Sequence, residues 1–191
     1  MSYAKNQRSN KALAKTASEF AFVSHPETPY LLIPSVSSER REYVPMGFMP
    51  AKTIASNLCL IVPKASLYHF GILTSAMHID WMRQVCGRLE SRYRYSAKLV
   101  YNNFPWATPT ETQRKKVENA AQAVIDARAA YPTSTLADLY SPLSMPKNLA
   151  KAHRELDRAV DRCYRSKPFK DSQERLGFLF DMYEKLTAKE Q

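Results

Sequence analysis

The sequence predicts an α+β fold in which a small mixed β region precedes a C-terminal helical bundle. In the first half, two short apolar runs each end at a proline, which is typical of strands. In the second half, apolar residues recur every three or four positions behind residues that cap helices, which is typical of amphipathic helices. With 191 residues the chain can bury a sizeable core without disulfides or metals.

The first half is predicted to contain two strands and one long helix. The strands are Tyr30–Pro34 and a region from Thr53 to Val62 that ends at Pro63, with a polar loop over 35–42 after the first. A helix then begins with Ser66 as N-cap and ends near Gly87. Its apolar stripe consists of Leu67, Phe70, Leu73, Met77, Trp81 and Val85.

The second half is predicted to be three helices with short connections, which makes a small bundle. Thr108–Glu111 forms a capping box with proline in the first helical position, and that helix continues to about Ala130. A helical turn is expected over 136–140 and a second helix over 149–163. Asp171 opens a third helix, whose stripe is Leu176, Leu179, Tyr183 and Leu186.

These elements divide the chain into three parts. Residues 1–28 are predicted to be a linker or a remnant of upstream sequence. Residues 29–107 form the β region with its helix, and residues 108–191 form the helical domain. We expect Asn102–Trp106 to be a structural plug between the two halves.

The net charge of +10 indicates a polyanionic partner, most often nucleic acid. Residues 1–106 carry 13 basic and 6 acidic side chains, whereas residues 107–191 carry 15 and 12, so the charge favours a binding surface in the first half. The mean hydropathy is −0.44 and no apolar run approaches the length of a membrane span, so no membrane partner is expected. Three cysteines at unpatterned spacings predict a reducing, cytoplasmic location.

The sequence lacks the patterns that carry most enzyme chemistry. Its four glycines are too far apart to build a phosphate-binding loop. The four histidines have no metal-ligand spacing, and His153 is expected to form a surface pair with Asp157 one helical turn on. The acids of the bundle are expected on solvated faces. We therefore predict no catalytic residue, no metal and no cofactor in this chain.

The segment from Glu90 to Lys98 has the most specific chemistry. If it is extended, its two-residue period places Glu90, Arg92 and Arg94 on one face, with Tyr93 and Tyr95 packing on the other. Arginine donates to guanine O6 and N7, and a carboxylate accepts from base amino groups, so this face suits base reading. A ladder of ion pairs on a strand surface is the alternative, and spacing alone does not decide between them.

Several segments, in order along the chain, resemble the fused restriction–modification enzymes typified by MmeI and their methyltransferase-only relatives. Those of the first half are IPSVSSERREY (33–43), LYHFGILTS (67–75), SRYRYS (91–96) and YNNFPW (101–106). Those of the second half are DAR (126–128), LADLY (136–140) and AHRELDRAV (152–160). The resemblance runs from about residue 28 to the end of the chain.

The resemblance implies a target-recognition domain, present as its C-terminal portion, followed by the family's C-terminal helical domain. It implies base reading at Asn57, Glu90, Arg92 and Arg94, and also at Ser35 and Leu58. S-adenosylmethionine and the transfer of a methyl group to adenine N6 belong to a methyltransferase domain of the parent enzyme, outside this chain. The phosphate contacts are inferred from charge alone: Arg40, Arg41, Arg88 and Lys98.

The expected function is therefore sequence-specific recognition of double-stranded DNA for an adenine-specific methyltransferase present in cis or in trans. In the second case the chain is a free-standing specificity subunit of a split enzyme. A different class also fits the sequence, namely a helical protein-interaction module whose positive charge only aids solubility. Steep salt dependence of DNA affinity would distinguish DNA binding from that module.

Overall fold

The first of two small antiparallel sheets lies at the start of the described chain. The computed structural model describes residues 25–188, so most of the predicted linker over 1–28 lies outside the described residues. Strand β1 (Tyr30–Pro34) is central, between β3 (Gly47–Met49) and β4 (Cys59–Pro63). The strand predicted from Thr53 therefore begins only at Cys59.

The second sheet has β6 (Arg92–Arg94) at its centre, between β2 (Val36–Ser37) and β5 (Gly87–Leu89). All pairings in both sheets are antiparallel. The chain passes from the first sheet to the second at Ser35, between β1 and β2. The predicted loop over 35–42 thus contains a strand, because the two residues of β2 are too few to give a recognisable alternation.

Six α-helices occur in the described chain. They are α1 (Leu67–Thr74), α2 (Ala76–Val85), α3 (Glu111–Ala129), α4 (Leu136–Leu139), α5 (Lys147–Tyr164) and α6 (Ser172–Thr187). A single π-helical turn, Ala97–Tyr101, follows β6. The three helices predicted for the second half and its helical turn are confirmed within a few residues of their expected bounds, and the fold class is α+β.

The long helix predicted from Ser66 is two helices, α1 and α2, which meet at Ser75. Ser75 is extended (φ −80°, ψ 159°), and its hydroxyl donates to the Ile72 carbonyl at 2.7 Å. The freed N–H of Ala76 donates to the Asp157 carboxylate at 2.7 Å. The first N–H of α2 is thus satisfied by a residue 81 positions away, a contact that helical periodicity does not report.

Helix α3 begins two residues later than its predicted capping box. The N-cap is Thr110, whose hydroxyl accepts from the Gln113 N–H at 3.2 Å, and the Gln113 side chain accepts from the Thr110 N–H at 2.8 Å. The prediction that Thr108 and Glu111 form the capping box was wrong, because Thr110 and Gln113 have the same spacing and form it instead. The predicted N-cap of α6 is confirmed, since Asp171 accepts from the Glu174 N–H at 3.0 Å.

One hydrophobic core runs through both halves of the chain. Helices α3 and α5 pack along each other, and α1 packs on both at Gly71. An added Cβ at Gly71 would lie only 2.7 Å from Val117 and 3.3 Å from Leu156. The bundle is thus completed by a helix of the first half, while α6 packs on α2. Division of the chain between residues 107 and 108 stays a prediction.

Helix α5 also joins the halves through buried polar side chains. His153 and Asp157 are both buried, so the predicted surface pair is wrong. Asp157 accepts from the Tyr43 hydroxyl at 2.7 Å as well as from Ala76, and His153 stacks on Tyr43 with 4.0 Å between ring centroids. His153 and Asp157 thus each contact the first half of the chain and do not pair with one another.

The prediction that the acids of the bundle lie on solvated faces is also wrong for Asp161, which is buried. Arg175 donates to both of its carboxylate oxygens, at 3.0 and 2.9 Å, and lies 3.4 Å from Asp80 of α2. Farther along this interface, Arg128 of α3 donates to the Met46 carbonyl at 2.7 Å. The buried carboxylates of Asp80 and Asp161 are thus paired with Arg175, which is the condition under which a buried charge is tolerated.

Leu156 and Leu179 are both fully buried, as their stripe positions predict, whereas Leu186 of the same predicted stripe is 49% exposed. We expect Leu156→Ala and Leu179→Ala each to lower the free energy of unfolding by about 2 to 5 kcal/mol. Urea denaturation measures this, with Leu143→Ala as the matched control because Leu143 is 99% exposed. A loss below about 0.5 kcal/mol at either buried site would contradict the packing.

Two fully buried histidines predict that acid destabilises the fold. Burial lowers the pKa of His78 and of His153 to about 3. Between about pH 3 and pH 6.5 the histidines of the unfolded chain therefore bind two more protons than those of the folded chain, and stability falls by about 1.4 kcal/mol per pH unit for each histidine as the pH is lowered. Burial raises the pKa of Asp157 to about 6, so the protonated acid stabilises the fold below that pH and opposes part of the loss.

Between pH 7 and pH 5 these three groups together should lower the free energy of unfolding by on the order of 3 kcal/mol. Urea denaturation at the two pH values measures the change. NMR titration provides the control, because the ring signals of His78 and His153 should not move over this range. Equal stability at both pH values, or ring signals that titrate near the ordinary histidine pKa, would contradict the prediction.

Candidate nucleic-acid interface

Strand β6 presents two arginines to solvent and turns its tyrosines inward. Arg92 and Arg94 are exposed, Tyr93 is half-buried, and Tyr95 directly after the strand is buried. In register, Arg94 lies opposite Val36 of β2 and Arg92 lies opposite Leu89 of β5. The expected alternation is therefore observed over 92–95, and it makes the outer side of the β5–β6 hairpin cationic.

Glu90 does not continue this strand. It lies in the turn between β5 and β6 with a φ of 57°, in the left-handed region that few non-glycine residues adopt. The two-residue period thus does not extend to Glu90. Its carboxylate nevertheless lies beside the strand, because Arg92 donates to it at 2.7 Å. Both side chains are exposed, so this pair contributes little to stability.

Ser35 connects the turn before β4 to the end of β6. Its N–H donates to the Leu58 carbonyl at 3.0 Å, and its carbonyl accepts from the Tyr95 N–H at 2.8 Å. Leu58 is 69% exposed, and Asn57 beside it is exposed too. The backbone thus brings three chain segments to one exposed region, which we call the junction surface: Ser35, Asn57, Leu58, Glu90, Arg92 and Arg94.

Tyr95 anchors the junction surface to the core. Its hydroxyl lies 2.9 Å from Nε2 of His78, a fully buried residue of α2. Phe104 packs edge-on against the same imidazole at 4.6 Å, so part of the predicted plug supports this anchor. Sequence reasoning missed His78, and its only signal was a histidine on a helix that is otherwise apolar at that turn.

The four residues expected to contact phosphates differ in how exposed their side chains are and in the contacts that these side chains already make. Arg40 is 82% exposed, Lys98 is exposed in the π-helical turn, and Arg41 is partly buried. Arg88 is exposed, yet its guanidinium lies 4.0 Å from the centre of the Tyr93 ring and donates to the Ser91 carbonyl at 3.1 Å. The Arg88 side chain therefore already makes two contacts within the β5–β6 hairpin.

Arg83 of α2 was missed by the sequence analysis, although it shapes this region. Its guanidinium donates to the Arg41 and Glu42 carbonyls at 3.0 and 3.1 Å. The loop that follows β2 is therefore fixed against α2. An arginine near the end of a helix carries no sequence signal that would separate this role from simple exposure.

Three features of the described residues bear on metal binding, membrane insertion and thiol reactivity. Within 25–188, His, Cys, Asp and Glu form no group of three or more that could hold a metal ion. No helix in that range is long and apolar enough to cross a membrane. Burial raises the pKa of the Cys86 thiol, which makes it a poor nucleophile.

The fold defines a class of protein in which a small α+β region with two short sheets is supported by a helical C-terminal region. Family comparison agrees, because the MmeI target recognition domain matches residues 2–108 and the MmeI C-terminal domain matches residues 109–190. The chain belongs to the MmeI family.

Two relatives show how much of such proteins this chain represents. It is 43% identical over 167 residues to DNA methyltransferase A of Bacillus subtilis (strain 168), which is 87% of this chain and 19% of the relative. The solved structure of the Type IIL restriction–modification enzyme MmeI in complex with DNA is 49% identical, with a TM-score of 0.88. That match covers 93% of this chain and 24% of the other, so the chain spans about a fifth to a quarter of these relatives.

Proposed function

We propose that the chain recognises a specific sequence in double-stranded DNA through the junction surface. The observation that carries this proposal is the arrangement around Ser35, whose backbone joins the Leu58 turn to a strand that presents Arg92 and Arg94 to solvent. The major groove admits a two-stranded β-ribbon, and arginine donors match the acceptors of guanine there. The related MmeI structure contains DNA, which supports the same partner for this chain.

The Arg92–Glu90 pair fits this proposal better than it fits a purely structural ion pair. A G·C base pair presents guanine acceptors and a cytosine amino donor side by side in the major groove. A guanidinium and a carboxylate held 2.7 Å apart can satisfy both at once. Because the pair is exposed, breaking or reorienting it on DNA costs on the order of 1 kcal/mol or less.

We infer further that the chain serves a methyltransferase that modifies adenine N6, present either in the same polypeptide or as a separate subunit. The names of the two relatives support a methyltransferase or restriction–modification context. S-adenosylmethionine would bind in that methyltransferase, which would flip the target adenine out of the duplex. The part proposed for this chain is to bind the duplex and select the site, and we assign it no catalytic residue.

Base readers and phosphate contacts should respond differently to the same substitution. We expect Arg92→Ala or Arg94→Ala to cost about 1 to 3 kcal/mol at one base pair and to leave the preference elsewhere unchanged. Arg40→Ala is the matched control, since it should weaken binding to all sequences alike and lower the salt slope by about one unit. Binding across a library of duplexes that differ at single base pairs measures both effects.

Three results would count against the proposal. If Arg92 and Arg94 variants lose affinity equally at every position, these residues contact phosphates and do not read bases. If they lose no affinity, the ion-pair ladder is the better account of β6. If the chain shows no salt-dependent affinity for duplex DNA at all, the protein-interaction alternative is favoured instead.

A further inference from the structure

Helix α5 exposes a row of basic side chains on the second half of the chain. Five basic residues at steps of three or four positions fall within about 80° of arc around the helix. All of them are exposed, and we call them the basic stripe: Lys147, Lys151, Arg154, Arg158 and Arg162. From end to end the stripe spans roughly 22 Å at the helical rise per residue.

The acids of α5 do not neutralise this line, because two of its three carboxylates point inward. Asp157 is held by Tyr43 and Ala76, and Asp161 is held by Arg175. Only Glu155 is exposed, and it pairs with Arg158 at 2.6 Å. The helix therefore separates its charges, with acids in the core contacts and bases in solvent. The small net charge of residues 107–191 conceals this separation.

Repulsion between the like charges of the stripe destabilises α5, and few ion pairs within the described chain offset it. Like charges three or four positions apart on a helix destabilise it by about 0.2 to 0.5 kcal/mol per pair. Among residues 25–188, Lys151, Arg154 and Arg162 form no ion pair with a carboxylate. Repulsion of this kind is relieved when a polyanion binds along the line.

The stripe borders a cleft next to the loop that follows β2. This cleft, of about 280 Å³, is lined by Arg83, Arg154 and Arg175 and also by the acids Glu42, Asp80 and Asp157, so its charges are mixed. Glu42 ends the loop that carries Arg40 and Arg41, and this loop directly follows β2, the strand paired with β6. The loop that carries Arg40 and Arg41 thus borders the same cleft as Arg154 in the middle of α5.

We propose that the basic stripe of α5 binds the phosphate backbone of the duplex beside the recognised site. This rests on the proposed function, in that the junction surface determines where the duplex lies. A line of roughly 22 Å corresponds to about six or seven base pairs along the duplex axis. A linear polyanion matches an extended row of cations, whereas a compact acidic ligand would meet only one or two of them. The contact adds affinity and no base preference.

Neutralising the stripe should reduce the electrostatic part of DNA binding. In the triple variant Lys151→Gln, Arg154→Gln, Arg162→Gln, we expect the slope of log affinity against log salt to fall by about two to three units. The probe is a random-sequence duplex titrated at several salt concentrations. Each single variant should lower the slope by about one unit, which provides a test if the triple variant folds poorly.

The matched control removes the same number of charges elsewhere. The triple variant Lys115→Gln, Lys116→Gln, Lys185→Gln replaces exposed residues of α3 and α6 that lie outside the stripe. It should change the slope by less than about one unit, since no phosphate contact is lost. Equal slopes for the two triple variants would overturn the proposal. Preference across single-base-pair variants should remain unchanged in the stripe variant, and a changed preference would also overturn it.

Failure of this inference and failure of the proposed function give different results. If single-base preferences depend on Arg92 and Arg94 but the stripe variant matches the control, only the stripe proposal fails. If the stripe variant lowers the salt slope while no substitution at the junction surface changes any preference, the chain binds DNA without reading it. Absence of any DNA affinity in the unsubstituted chain would overturn both.

Discussion

The packing of the first half of the chain against helix α5 depends on the hydrogen bonds of the Asp157 carboxylate. It accepts from the Ala76 N–H at the start of α2 and from the Tyr43 hydroxyl, and both donors belong to the half of the chain that carries the junction surface. A charged group in this position needs such partners, since an uncompensated buried carboxylate costs several kcal/mol. The bond to Ala76 holds the start of α2, directly after the break that ends α1. The bond to Tyr43 holds the segment that follows β2. The position of His78 under Tyr95 follows from the placement of α2.

Helix α5 consequently has two faces with separate tasks. Its inner face provides Leu156 to the core and Asp157 and Asp161 to the polar contacts, whereas its outer face carries the basic stripe. In the account proposed here, the sheet junction selects the sequence and α5 adds contacts that do not depend on sequence, as phosphate contacts generally do.

Much of the fold could be predicted from local patterns, and the failures share one physical cause. Strand β1 and helices α3, α5 and α6 follow from apolar periodicity, prolines and caps. The break at Ser75 and the burial of His153 and Asp157 depend on partners far away in the sequence. Residues spaced i, i+4 on a helix give the same signal whether they pair with each other on the surface or both contact a buried residue of another segment, as His153 and Asp157 contact Tyr43. Arg92 and Arg94 were predictable from alternation, but the turn at Glu90 was not, because a left-handed φ at glutamate has no sequence signature.

Dimethyl sulfate footprinting can show whether β6 reads base edges in the major groove, as we propose. This reagent methylates guanine N7, the atom that an arginine on β6 would occupy. On a duplex selected for binding, the chain should protect one or two guanines from methylation. That protection should disappear in Arg92→Ala or Arg94→Ala at protein concentrations that restore full binding. Undiminished N7 methylation throughout the bound site would contradict major-groove reading by this strand.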